Sequence, residues 1–298
     1  MPIVLQETLR GVFYAPFYAA LSLGAYREEG VEVRFTSART PSDSASRLAD
    51  GTVDVTWGGP MRVMLTYDQD PKCDLVCFCE VVTRDPFFLL GRAPNPDFKL
   101  ANLGAARVAT VSEVPTPWLC LQHDLRLQGV DPATLTCVTG RTMADNLDAL
   151  RSGELDVVQM FEPYVSMALQ ASTGEILYAA NARGPTVYTT FLASRDSIRR
   201  NRAAFDAMVR AIRRSLAWVA EHSGAELADA VASYYPHVAR ELLASSLQRY
   251  HDAKLWARTP DLSRQGFARL AESMKSGGFI SRLYPYEDCV DQSFATEA

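Results

Sequence analysis

The chain has 298 residues, of which 48% are hydrophobic and 22% charged, with a net charge of -5. That length suits two domains better than one, and the composition is that of an ordinary globular protein. An acidic chain without a basic excess argues against nucleic acid as a partner, and no apolar run approaches the roughly 20 residues of a membrane span.

Residues 3–8 read as a first core strand, followed by a helix over about 16–27. The alternation of GVEVRF at 30–35 reads as a strand, and Pro41-Ser42 opens a helix that ends near Gly51. A strand at 53–57, a helix from Pro60 to about Tyr67, and apolar strands at 75–83 and 87–91 follow, the last two separated by Arg84-Asp85-Pro86, a candidate crossing between lobes. After the loop RAPNPDFK come a strand at 107–111, a helix at 117–128, a strand at 134–139, a helix at 142–152, a strand at 155–160 and a helix at 163–172. Residues 183–194 read as the return crossing. Helices are expected over 205–222, 225–234, 238–251 and 262–275; in the first of these, the apolar residues at 205, 208, 209, 212, 216 and 219 form one stripe. The expected fold class is α/β with two lobes, each a mainly parallel sheet flanked by helices, and a ligand cleft between them. The first lobe takes residues 1–90 and 190–298, and the second, 91–189, is inserted.

One phrase occurs twice. LADGTVDVTWGGP at 48–60 and LRSGELDVVQMFEP at 150–163 align Leu48, Gly51, Asp54 and Val55 with Leu150, Gly153, Asp156 and Val157. Each copy reads as a helix ended by a left-handed Gly and followed by a short buried strand. Gly30-Val31 and Gly129-Val130 extend the echo. In open α/β sheets, ligands sit beyond the carboxyl ends of the strands, so two matched units facing each other would clamp one ligand.

The residues expected at that cleft are Arg10, Tyr14, Tyr18, Trp57, Gly58 and Gly59 from the first unit and Pro115, Thr116, Trp118, Glu162 and Tyr164 from the second, with Tyr188 and Arg84 near the crossings. Aromatic rings supply rigid walls with polar tips. Gly58-Gly59 lets a backbone approach a ligand. Thr116 before Pro117 resembles an N-cap at a helix start that can hold an anion, and Glu162 favours a ligand offering a donor. Each also has a plainer reading: Trp57 and Trp118 as core, Thr116 as a simple cap, Glu162 as a solvated first-turn acid. On the first account, Ala at position 57 or 162 weakens binding without unfolding the chain.

Catalytic signals are weak. There is no G-x-S-x-G, Walker loop or G-x-G-x-x-G, and no cofactor is called for. Cys73, Cys77 and Cys79 form C-x3-C-x-C, with Cys77 and Cys79 on one face of a strand, but no second cysteine pair or His completes a metal site. The six cysteines give no disulfide framework, and MPIVLQET has no features of a secretory signal.

YAPFYAALSLGAYREEGVEVRF at 14–35, the two repeated phrases and YPYEDCVDQSF at 284–294 resemble the solute-binding proteins of the nitrate, sulfonate and thiamine-precursor group, the NMT1/THI5-like or SsuA-like family. The resemblance covers nearly the whole chain. It implies a type II periplasmic-binding-protein fold, a small-molecule ligand, an ABC permease as partner and a periplasmic location, with Tyr14, Trp57-Gly58-Gly59, Thr116 and Glu162 at ligand-contact positions. The implied ligand is a pyrimidine thiamine precursor, a sulfonate or an aromatic acid. The eukaryotic thiamine-pyrimidine synthases of this fold carry a cysteine-rich motif that only Cys77-Phe78-Cys79 echoes here. Without an export signal the location is cytoplasmic if the chain is complete, which leaves two other readings: an enzyme on the same fold (a lyase, decarboxylase or desulfinase), or a cytoplasmic ligand sensor.

Overall fold

The computed structural model describes residues 1–39 and 43–294. Two five-stranded sheets organise it. The first has the order β2-β1-β3-β10-β4, with β1 at Ile3–Glu7, β2 at Val33–Ser37, β3 at Val55–Gly58, β4 at Leu75–Val82 and β10 at Thr189–Ser194. The second has the order β7-β6-β8-β5-β9, with β5 at Phe88–Gly91, β6 at Arg107–Ala109, β7 at Thr136–Val138, β8 at Val157–Met160 and β9 at Glu175–Ala179. The three strands β2-β1-β3 and their counterparts β7-β6-β8 are parallel; β10 and β5 run antiparallel to their neighbours.

The repeated phrase builds the same device in each sheet. Helix α3 (Asp43–Ala49) ends before Gly51 at φ 73°, and α6 (Met143–Ser152) ends at Gly153 at φ 81°. These left-handed turns are where glycine is cheapest. The two Asp residues then act alike. Asp54 Oδ2 accepts the Val4 amide at 2.9 Å, and Asp156 Oδ2 accepts the Arg107 amide at 2.9 Å. Each Asp also donates its own amide to the carbonyl of that same residue, at 3.1 and 3.0 Å. The shared Asp therefore locks β3 and β8 to the central strands β1 and β6. Its repetition records fold construction. Gly30-Val31 and Gly129-Val130 are likewise matched: the Val amides close helix ends on Tyr26 and Leu125 carbonyls at 3.0 and 2.9 Å.

Several expected boundaries move. Residues 88–90, assigned to the first lobe, belong to β5, which pairs with β8 and β9, so the chain changes sheets between Val82 and Phe88. The return lies between Ala179 and Thr189, so residue 189 joins the first sheet. The helix expected at 16–27 is two pieces, α1 (Ala15–Ser22) and α2 (Ala25–Glu28), separated by Gly24 at φ 77°. Strand β9 had no counterpart in the expected elements. The start expected for α3 at Pro41-Ser42 lies outside the described residues. Helix α4 spans Met61–Gln69, α5 Thr116–Leu127 and α7 Tyr164–Gln170.

Beyond β10 the chain is helical: α8 (Arg195–Arg200), α9 (Arg202–Glu221), α10 (Gly224–Val231), α11 (Arg240–Asp252) and α12 (Arg264–Ser276). The α9 stripe, Phe205 to Val219, is buried as its spacing predicts. Helix α12 reaches the inserted lobe: Leu119 and Cys120 of α5 share a core cluster with Leu270 and Met274. Where the chain crosses between sheets, buried Arg183 pairs with Asp85 and Asp124.

A bulge interrupts β4. Thr190 faces Glu80 while Phe191 faces Phe78, leaving Cys79 unopposed at φ 58°. Cys77 and Cys79 therefore enter different core clusters, contrary to the one-face expectation, because an inserted residue breaks strand alternation. The bulge also buries Glu80. Its Oε2 accepts the Ser263 amide at 3.0 Å, Oε1 has no hydrogen-bond partner, and burial raises its pKa to about 7. A raised acid stabilises the fold at low pH and loses that contribution as pH rises through about 7. The wild-type melting temperature is thus expected to fall between pH 5 and 8. Glu80→Gln should flatten that fall by on the order of a few degrees. Parallel pH–melting profiles in the two proteins would refute the assignment.

Candidate functional site

A narrow cavity of about 40 Å³ lies where the two units face each other. Thr8 and Leu9 enter it just beyond β1, and Phe13 and Tyr14 from the short turn that precedes α1. Gly58 ends β3 and Gly59 follows it, and Met61 and Arg62 open α4. The inserted lobe contributes Val114, Pro115 and Thr116, and the crossings contribute Phe87 and Tyr188. The walls are therefore apolar and aromatic, with a few convergent polar groups, the usual make-up of a small-molecule site.

Arg62 dominates the electrostatics. Burial holds its guanidinium pKa below the ordinary value, and its Nε has no hydrogen-bond partner. Among the described residues no carboxylate pairs with it. It also sits in the first turn of α4, where the helix dipole disfavours a cation. A desolvated cation that lacks a counter-charge is a costly arrangement, and an anion entering the cavity would relieve it. Tyr14 and Tyr188 supply neutral hydroxyls. Burial pushes the Tyr14 phenol up to about 12 and the Tyr188 phenol well above its ordinary value, and the Tyr188 hydroxyl has no partner. No side chain caps the start of α5.

Of the expected site residues, Tyr14, Gly58, Gly59, Pro115, Thr116 and Tyr188 meet at this cavity. Thr116 is the first residue of α5 rather than its N-cap, a position taken by Pro115. Gly59 is needed for packing: a Cβ there would stand 3.2 Å from the Tyr188 carbonyl oxygen.

The other expected residues are engaged elsewhere. Arg10, Tyr18 and Ser37 all bond to the buried Glu7 carboxylate. Trp57 is fully buried among Phe17, Phe35 and Tyr18. Trp118 packs on the core of the inserted lobe, with Leu103 and Leu125. Tyr164 is half-buried against Phe161. Arg84 Nη1 donates to the Asn181 carbonyl at 3.0 Å.

Glu162, expected at the cleft, is engaged by protein groups. It is fully buried, and both its oxygens are occupied: Oε1 by Arg249 Nε at 2.8 Å and Ser166 Oγ at 3.0 Å, Oε2 by the Ser166 amide at 2.9 Å and Ser246 Oγ at 3.1 Å. It faces α11 and does not line the cavity.

Thr8, Phe13, Arg62 and Phe87 were not among the expected site residues. Arg62 had one sequence signal, a cation directly after a Gly-Gly-Pro helix start. Among the described residues, no cluster of three or more His, Cys, Asp or Glu could hold a metal, and no helix is long and apolar enough to cross a membrane.

Comparison with known proteins agrees with this architecture. The "Putative binding protein YtlA" of Bacillus subtilis (strain 168) is 23% identical over 295 residues, which cover 98% of this chain and 88% of that protein. The periplasmic aliphatic sulphonate binding protein SsuA of Escherichia coli superposes with a TM-score of 0.76 at 17% identity, covering 98% of each chain. The desulfurization enzyme DSZB superposes with a TM-score of 0.68 at 14% identity, covering 98% of this chain and 97% of that one. These likenesses establish the two-lobed periplasmic-binding-protein fold, shared by binding proteins and an enzyme alike. The model of the family described as NMT1/THI5 like matches residues 13–225, most of the chain, and the protein belongs to that family.

Proposed function

We propose that this chain is the solute-binding component of an ABC-type import system, and that its ligand is a small organic anion, a sulfonate or carboxylate with a flat or apolar body. The observation that carries this reading is Arg62, a half-buried cation in the cavity with no carboxylate partner among the described residues. The acidic head would sit between Arg62 and the uncapped start of α5, where helix amides favour an anion. Phe13 and Phe87 would flank the body, and the Tyr14 and Tyr188 hydroxyls would donate. Capture would proceed by closure of the lobes, driven by tighter binding to the closed form. The partner is then a membrane permease, and the working location is the outer side of that membrane. Neutral pyrimidines fit less well, because the carboxylate meant to receive their amino group, Glu162, is consumed by Arg249.

The second reading is an enzyme, which the likeness to DSZB keeps in view. The residues lining the cavity include no Cys, His, Lys or carboxylate, so acid–base or nucleophilic catalysis there would have to draw on the hydroxyls of Tyr14, Tyr188, Thr8 and Thr116. A thermal-shift screen of sulfonates, carboxylates and pyrimidines separates the readings, since ligands of the native state raise its melting temperature. An organic anion that raises it and is recovered unchanged supports a receptor. One that is recovered chemically altered makes the protein an enzyme.

A further inference from the structure

Two phenylalanine rings, Phe13 and Phe87, line the cavity, and a third, Phe161, packs against both of them from behind, each from a different part of the chain. Phe13 comes from the first lobe, Phe87 from the outgoing crossing and Phe161 from the end of β8. Phe13 and Phe161 stand edge to face at 5.5 Å between centroids, Phe87 and Phe161 at 5.4 Å, and Phe13 and Phe87 at 6.2 Å. A contact of this kind between two lobes has to be held in register by something outside the rings.

One segment does this from behind. The Tyr250 hydroxyl, on α11, accepts the Glu162 amide at 3.0 Å and donates to the Pro86 carbonyl at 3.1 Å. Those are the residues beside Phe161 and Phe87. Trp256, just past α11, donates its Nε1–H to the Phe13 carbonyl at 2.8 Å. Tyr250 and Trp256 also meet edge to face at 6.3 Å. Two neighbouring side chains thus hold the main chain at all three rings.

The segment is itself fixed by Glu162, through Arg249 and Ser246 on successive turns of α11. A buried ion pair adds little net stability, and what it can supply is a unique geometry. Glu162 places α11 against the end of β8, and α11 then places the wall.

We propose that Tyr250, Trp256 and the Arg249–Glu162 pair are positioning residues for the aromatic wall, and that the α11 segment is a brace coupling the ring of one lobe to that of the other. The functional consequence rests on the cavity being the ligand site; the mechanical claim does not. Affinity would then depend on residues that never touch ligand.

Hydrogen exchange on the full-length, ligand-free protein tests the brace. Tyr250→Phe removes one hydroxyl and keeps the ring, and Arg249→Met loosens α11 from Glu162 at a partly exposed position. Neither alters the Trp256–Phe13 bond. In both variants exchange should accelerate by roughly tenfold or more over 85–90 and 160–166, and also over 11–16, with β7 unchanged. Arg249→Lys should restore much of the protection. Acceleration that stops short of 11–16, or none, would overturn the brace and reduce the contacts to local packing. Should Tyr250→Phe fail to fold, Arg249→Met carries the test alone. Either outcome leaves the anion reading to be decided at Arg62.

Discussion

Replacing Trp57 by Ala is expected to destabilise the protein by about 3–5 kcal/mol. The indole is fully buried, stacked on Phe17 at 4.5 Å and on Phe35 at 5.6 Å, with Tyr18 edge-on at 5.5 Å. Truncation removes the centre of that group and leaves a cavity that its rigid neighbours cannot fill. The thermal midpoint should fall by on the order of 10 °C for a chain of this size, and Trp57→Phe should recover much of the loss. Denaturant melts followed by circular dichroism measure it. This differs from the expectation from sequence that Trp57→Ala weakens binding and leaves the fold alone. A variant as stable as the wild type would place Trp57 outside the core.

Arg62→Met is expected to act in two opposite directions. Removing a desolvated, uncompensated cation should raise the melting temperature of the ligand-free protein, because the charge is costly without a partner. Binding of an organic anion should weaken by about 2–5 kcal/mol, the usual loss when one member of a buried charge pair is removed, which is roughly 30-fold or more in Kd. A residue that merely packs would lose stability when changed. A residue kept for a ligand gains stability and loses binding, and the pair of measurements tells them apart.

How much of this was legible in the sequence depends on the range of the interaction concerned. The helix–Gly–strand–Asp phrase could be read because each of its parts acts within a few residues or on the adjacent strand. Gly51 and Gly153 take the left-handed turns expected of them. The α9 stripe was equally readable, since its period is local. The two-lobed fold followed from these pieces, and the crossing read at Arg84-Asp85-Pro86 falls between Val82 and Phe88, although the lobe boundary at residue 90 took in three residues of β5: four consecutive apolar residues at Phe87–Leu90 fit a buried strand in either sheet.

The site was legible only to the resolution of strand ends. Gly58 ends a strand, Gly59, Pro115 and Thr116 lie beyond strands, and all four reach the cavity, as position alone implies. Which side a residue faces there was not readable. Trp57 precedes Gly58 by one residue, and strand alternation sends it to the opposite face, into the aromatic core. Glu162 looked like a ligand contact because its partner, Arg249, lies 87 residues away on a helix that no local pattern ties to β8. Cys79 escaped because a bulge leaves no signature in apolar spacing. Arg62 drew no reading from sequence, and its meaning appears only in three dimensions, where no carboxylate among the described residues pairs with it.

The central claim is that the cavity captures a small organic anion through Arg62. The most direct test is isothermal titration of wild type and Arg62→Met with a panel of alkyl and aryl sulfonates, aromatic carboxylates and neutral pyrimidines. The account predicts that at least one anion binds the wild type, that its affinity collapses in Arg62→Met, and that neutral pyrimidines bind neither. A neutral pyrimidine that binds both proteins equally well, with every anion silent, would contradict it.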